Sequence, residues 1–261
     1  MQVQARKTPA DIDPVVAARI TADVTAALQS ITTVEGRFVV NPTVWFGRKR
    51  SSQEVSVQVV NSASFLSKGF QSFLTTRGWD TEKLLSGQRI DAYVEMPSAP
   101  GFQLSRQQLG TFIDQFTAAH PESSIDSIVY RYIKRSCFNL ALIDPAFHGY
   151  FTQTSASINI RIGLEFETGN IASSFRSLNK LNYLFRKGDI DAGVFITSLD
   201  KATTAAQIWP ASNRNGSFTE LEQRNYGETI SFPIWEFSFA PDALNTAAPY
   251  LANAAGKTYM P

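Results

Sequence analysis

The segment from Asn159 to Thr197 restricts the fold more than any other stretch of the chain. An apolar run, Asn159 to Glu167, is broken by Gly169. An amphipathic stretch from Ala172 to Arg186 then carries Phe175, Leu178, Leu181, Leu184 and Phe185 on one face, and Gly188 can end it. The apolar run Ala192 to Thr197 follows at once. Strand, helix and strand with short returns predict a parallel crossover, right-handed by default. The fold class this implies is α/β, with a central mixed sheet flanked by helices.

Elsewhere the pattern is consistent with that class. Asp13-Pro14 reads as an N-cap and first helical position for residues 14–30, with Val16, Ile20, Val24 and Leu28 at helical spacing. Strands are predicted over 37–41, 54–60 and 90–95, and a helix capped by Ser62. Pro97, Pro100 and Gly101 mark a loop. Ser105 and Gln108 have capping-box spacing before Leu109, Phe112, Ile113 and Phe116. A helix is predicted over 124–137 and another over 202–209. His148 to Thr154 is expected to pair with 159–167 as a hairpin. Trp235 to Phe239 is expected at a sheet edge, and the tail from Pro241 to be poorly ordered.

Composition excludes several chemistries. The single cysteine, Cys137, permits neither an internal disulfide nor a thiolate-rich metal site, and suits a reducing, cytoplasmic setting. No apolar leader and no window approaching a membrane span is read. The two histidines do not support a Ser-His-acid triad, and there is no Gly-rich phosphate loop or HExxH. A formal net charge of +1 means that any nucleic-acid surface must be local.

The carboxylates of Leu164-Glu-Phe-Glu167 carry the chemical interest. Residues two apart in a strand share a face, so Glu165 and Glu167 repel each other and lose solvation together. A divalent cation would remove that penalty, and Mg²⁺ suits carboxylates that leave water in its shell. The acids end an apolar strand, where open α/β sheets place ligands. The bland alternative is a pair of solvated glutamates. Asp144 could join the pair through the expected hairpin, or simply precede Pro145 in a turn. His148 is a possible outer partner.

Asn170, Ser173, Ser174, Arg176 and Asn179 cluster at the start of the following helix, where free amides receive phosphate and Arg or Asn can read base edges. They could equally be capping and solvated residues. Asn213, Arg214 and Asn215 form a second polar, basic loop, and Arg48, Lys49 and Arg50 a third basic patch suited to phosphate contact.

Taken together, Ile143-Asp144, Leu164-Glu-Phe-Glu167, Gly169-Asn170, Ala172-Ser-Ser-Phe-Arg176, Ile190 to Thr197 and Asn213 to Leu221 resemble the core of type II restriction endonucleases of the BamHI–BglII kind. These are a branch of the PD-(D/E)xK nuclease fold. The resemblance implies a single nuclease domain over 1–261, with a catalytic core at about 140–220 and residues 1–120 extending the domain and wrapping DNA. It implies Asp144 and Glu165 as metal-binding acids, with Glu167 in the usual lysine position as ligand or base. It further implies Mg²⁺, with Mn²⁺ able to substitute, and a homodimer that cuts double-stranded DNA at a short palindrome. A structure-selective or repair nuclease and a non-catalytic DNA-binding protein are the competing readings.

Overall fold

The computed structural model describes residues 1–43, 45–48, 55–58, 61–122, 139–154, 157–168, 171–199, 218–226, 230 and 232–260. The elements in chain order are β1 (Gln2–Lys7), α1 (Pro14–Gln29), β2 (Val39–Val40), β3 (Trp45–Arg48), β4 (Val55–Gln58), α2 (Ala63–Thr76), β5 (Asp80–Leu85) and β6 (Gln88–Ser98). Next come β7 (Phe102–Leu104), α3 (Leu109–Ala119), β8 (Phe151–Gln153), β9 (Ile158–Phe166), α4 (Ile171–Lys187), β10 (Ala192–Ser198), α5 (Phe218–Gln223) and β11 (Ile234–Ala240). The short strands β12 (Ala243–Leu244), β13 (Tyr250–Leu251) and β14 (Thr258–Tyr259) end the chain. The expected helices at 124–137 and 202–209 fall outside the described residues.

A six-stranded mixed sheet, in the order β1-β11-β10-β9-β6-β5, organises the molecule. β9, β10 and β11 run parallel, while β1, β6 and β5 pair antiparallel with their neighbours. The predicted crossover is present: β9, α4 and β10 form a parallel unit with Gly163 opposite Gly193. Gly188 has φ +79° and ends α4, a backbone conformation that glycine adopts at little cost. Arg161 then fixes the return. Its guanidinium donates to both carboxylate oxygens of Asp191, at 3.0 and 2.9 Å, and to the Gly188 carbonyl.

Each face of the sheet has its own core. Ile162, Leu164 and Phe166 of β9 point to one face, with Val194 and Ile196 of β10 and Trp235, Phe237 and Phe239 of β11, against α1 and α2. α4 covers the other face through Leu178, Leu181, Leu184 and Phe185, packed with Phe195 and Ile234. The caps expected of Asp13 and Ser62 are present, accepting from the Val15 and Ser64 amides.

Several expectations are corrected. β11 is interior, because β1 pairs along it and takes the edge. The tail after Pro241 is tied in. The Asp242 carboxylate accepts from the Phe38 amide and the amino group of Met1, and β12 pairs with β2. Pro97 lies within β6, beyond Tyr93 where pairing with β5 ends, so its missing N–H interrupts no ladder between those two strands. Ser105 makes no side-chain cap. The largest change is in connectivity. β8 pairs with β7, and β9 finds its antiparallel partner in β6. Residues 99–157 are thus an excursion between β6 and β9. Within it Leu104, Phe112, Phe116, Ile143, Phe147 and Phe151 form a satellite aromatic core.

Candidate active site

β9 delivers Glu165 and Glu167 to the end of the central sheet. Leu164 and Phe166 are held in the α1/α2 core, so the intervening Glu165 must face α4. It is only 3% exposed. Glu167 is half-buried, and its amide continues the ladder to the Ile196 carbonyl at 2.8 Å. The helix meets both acids. Ser177 Oγ donates to Glu167 Oε2 at 3.1 Å and also lies within hydrogen-bonding reach of Glu165. The expected sharing of one face by the two glutamates is realised through this single hydroxyl.

The next acid comes from β6. Its ladder with β9 runs from Ser98–Ile158 to Ala92–Leu164, which brings Asp91 alongside Glu165 just past the last pair. Ile90 packs into the α4-side core and Ala92 into the opposite one, so the regular alternation of the strand breaks at Asp91. The Asp91 carboxylate replaces a ladder acceptor at that point, receiving the Phe166 amide at 2.7 Å.

Lys180, one turn beyond Ser177 on α4, supplies positive charge. Its Nζ donates to Glu165 Oε1 at 2.7 Å and to the Arg89 carbonyl at 2.8 Å. Burial nevertheless dominates the acids. It pushes the Glu165 carboxyl up to about 7, helped by the neighbouring Asp91 charge and opposed by Lys180 and Ser177. Burial likewise raises Asp91 to about 6, opposed by the Phe166 amide and Lys180 and reinforced by Glu82 and Glu167. For both carboxyls the charged form is disfavoured chiefly by burial and secondarily by the neighbouring acids.

Not all of the expected site residues gather here. Asp144 is exposed in the excursion and caps the short 3₁₀ turn Pro145–Tyr150, accepting from the Ala146 amide at 2.9 Å. The hairpin that would have carried it to Glu165 is replaced by the β7–β8 pair. His148 faces the Ile143 carbonyl instead of the acids. Ser174 is fully buried beneath α4, which removes it from any DNA-facing surface in this conformation. Arg176 and Asn179 are on the exposed side of α4. Ser173 Oγ accepts from Arg176, and Asn179 Oδ1 accepts from the Tyr226 hydroxyl. The backbone of Arg48 ends β3 opposite Val55. Lys49, Arg50, Asn170, Asn213, Arg214 and Asn215 lie outside the described residues.

Among the described residues, no three Asp, Glu, His or Cys side chains are disposed as a complete metal cage. The donor chemistry nonetheless fits a hard divalent cation. Asp91, Glu165 and Glu167 offer only oxygen, and burial disfavours the charged forms of Glu165, which is buried, and Asp91, which is half-buried. Asp91, Lys180 and Ser177 escaped detection in the sequence. Asp91 carried a faint signal as an acid between Ile90 and Ala92, both of which are buried. Ser177 and Lys180 stand at the i, i+3 spacing of one helical face, but nothing local tied that face to the acids.

The mixed sheet clad on both faces, with acids converging from adjoining strands at its end, defines an α/β protein of the restriction-endonuclease fold. The chain belongs to the BamHI restriction endonuclease family, whose model, described as restriction endonuclease BamHI, matches residues 7–238. It is also similar to the type II restriction enzyme BamHI of Bacillus amyloliquefaciens, at 34% identity over 92 residues. That similarity covers 35% of this chain and 40% of the relative, so the aligned part spans well under half of the relative's length. No helix among the described residues is long and apolar enough to cross a membrane.

Proposed function

We propose that this chain is a divalent-metal-dependent endonuclease that hydrolyses phosphodiester bonds of double-stranded DNA at a short palindromic site, acting as a homodimer in the cytoplasm. The observation that carries the reading is the convergence of Asp91 with Glu165 and Glu167 at the end of the sheet, in a chain of the BamHI family. Asp91 takes the role expected of Asp144, and Glu165 is its partner ligand. Together they would hold Mg²⁺, or Mn²⁺ in its place. When bound, the cation would polarise the scissile phosphate and lower the pKa of an attacking water.

The remaining work falls to the protein. Glu167 is less buried than Glu165 and has one carboxylate oxygen anchored by Ser177. The Glu167 carboxylate is suited to orient the attacking water and take its proton. Arg176 and Asn179, on the exposed side of α4 beside this centre, are suited to contact DNA. Asn170, Ser173, Asn213, Arg214, Asn215, Arg48, Lys49 and Arg50 remain proposed contacts on their residue chemistry. Residues 1–98 contribute β1, β5 and β6, three of the six strands of the main sheet, and carry Asp91, which supports a role for them beyond wrapping DNA.

The test is digestion of plasmid and phage DNA by the purified protein with Mg²⁺ and with chelator. Discrete fragments that require the metal, with run-off sequencing returning one palindrome, support the proposal. Absence of cutting across many DNA substrates, metals and buffers would overturn it. Metal-independent binding without cleavage would favour a non-catalytic DNA-binding protein.

A further inference from the structure

We propose that Lys180 is a built-in counter-cation that competes with the divalent metal for Glu165 and thereby sets the metal affinity of the site. This rests on the metal-site reading above and adds to it a residue on α4 that controls occupancy. The pattern Glu-Phe-Glu lacks a lysine two residues after Glu165, since Glu167 stands there. The fold instead brings an ammonium from the crossover helix, 2.7 Å from Glu165 Oε1.

Three features make this contact more than a surface ion pair. The Lys180 and Glu165 side chains are only 19% and 5% exposed, so their attraction is weakly screened by solvent. The ammonium is also held by the Arg89 carbonyl, on the strand that bears Asp91. Lys180 therefore spans β6 and β9, the two strands whose acids would share a metal. Finally, the oxygen that Lys180 occupies belongs to a carboxylate already within reach of Ser177. A metal seeking that oxygen must displace the ammonium, which can retain Arg89 as an acceptor, or must bind beside a positive charge. Either route weakens metal binding while keeping the acids together when no metal is bound. Lys180 is a positioning residue in this scheme, acting through Glu165.

The experiment measures Mn²⁺ binding to the full chain without DNA, by the electron paramagnetic resonance signal of free Mn²⁺, at pH 8.5 where protons compete little. The proteins are the wild type, Lys180→Met, Lys180→Gln, Lys180→Arg and Glu165→Ala. The neutral Lys180 variants are expected to bind Mn²⁺ about tenfold more tightly, the scale of one partly buried charge contact. Lys180→Arg, which keeps the charge, is expected to stay near the wild type. Tightening cannot arise from a variant that fails to fold, and Lys180→Gln serves if Lys180→Met disturbs the helix. Unchanged or weaker affinity in folded neutral variants, or equal tightening in Lys180→Arg, would overturn the role of Lys180. Failure of the metal-site reading looks different: neither wild type nor any variant would bind Mn²⁺, or Glu165→Ala would bind it as well as the wild type.

Discussion

The carboxylate of Asp91 accepts the backbone amide of Phe166, the residue between Glu165 and Glu167, at 2.7 Å. One hydrogen bond thus docks an acid of β6 onto the acidic pair of β9. The proposed site depends on that junction, and replacements at Asp91 and Asp144 separate it from the alternative. Asp91→Asn should keep the amide contact and lose the ligand charge, lowering the DNA cleavage rate by about 10³-fold or more if several kcal/mol of metal-assisted stabilisation is lost. Asp144→Asn should leave cleavage within a few-fold of wild type. The measurement is single-turnover cleavage at saturating Mg²⁺; the reverse ranking would return the role to Asp144.

Glu165→Ala should also abolish cutting, by about 10³-fold or more on the same grounds. Removing a negative charge from the proposed DNA-facing cleft should leave DNA affinity equal or slightly improved. Filter binding with chelator present, alongside plasmid nicking in Mg²⁺, checks both. A variant that cuts at the wild-type rate would exclude Glu165 as a ligand.

The raised carboxyls make a pH prediction for the metal-free protein. A carboxyl whose pKa is higher folded than unfolded binds its proton more tightly in the native state. It therefore favours folding at low pH and loses that contribution as pH rises. For Asp91 the window runs from 3.8 to about 6, and for Glu165 from 4.5 to about 7. Asp91→Asn should accordingly be more stabilising at pH 8 than at pH 4, by roughly 2 kcal/mol. Urea unfolding with chelator present, at both pH values, gives the comparison; an equal effect at the two would contradict it.

Millimolar Mg²⁺ or Mn²⁺ should raise the melting temperature at pH 8, because a ligand of the native state stabilises it by mass action. At 100 times its Kd the gain is about 2.7 kcal/mol. The shift should vanish in an Asp91→Asn, Glu165→Gln double variant. Persistence of the full shift there would place the stabilising cation elsewhere.

A packing prediction tests the crossover itself. A Cβ at Gly193 would come within 2.8 Å of Phe232 Cε2 and 3.3 Å of Leu181 Cδ1. Gly193→Ala should cost about 1–3 kcal/mol through overpacking between β10 and α4. Denaturant unfolding would read this loss, and wild-type stability would show that the ring yields freely.

The crossover was legible because β9, α4 and β10 are contiguous and each carries its own period: apolar runs for the buried strands, and Phe175, Leu178, Leu181 and Leu184 for the helix. The Glu165/Glu167 pair was legible for the same local reason. Asp91 was not, because its proximity to Glu165 follows from pairing between strands separated by the whole excursion 99–157. Asp144 offered a nearer acid in sequence, but its neighbours Ile143 and Phe147 belong to the satellite core. β1 was missed because polar residues fill most of Gln2–Lys7; its place at the edge is fixed by pairing with β11. Ser174 illustrates the remaining limit: a hydroxyl on an amphipathic helix does not announce whether it faces solvent or core.

The excursion has a consequence for how the central sheet assembles. Closing a disordered loop as long as 99–157 costs conformational entropy, although the cost grows only logarithmically with length. A satellite core that condensed on its own would shorten the effective loop before β6 and β9 meet. The acid-bearing strands would then register late, after a local collapse, and the nascent chain would hold Asp91 apart from Glu165 until β9 had been synthesised.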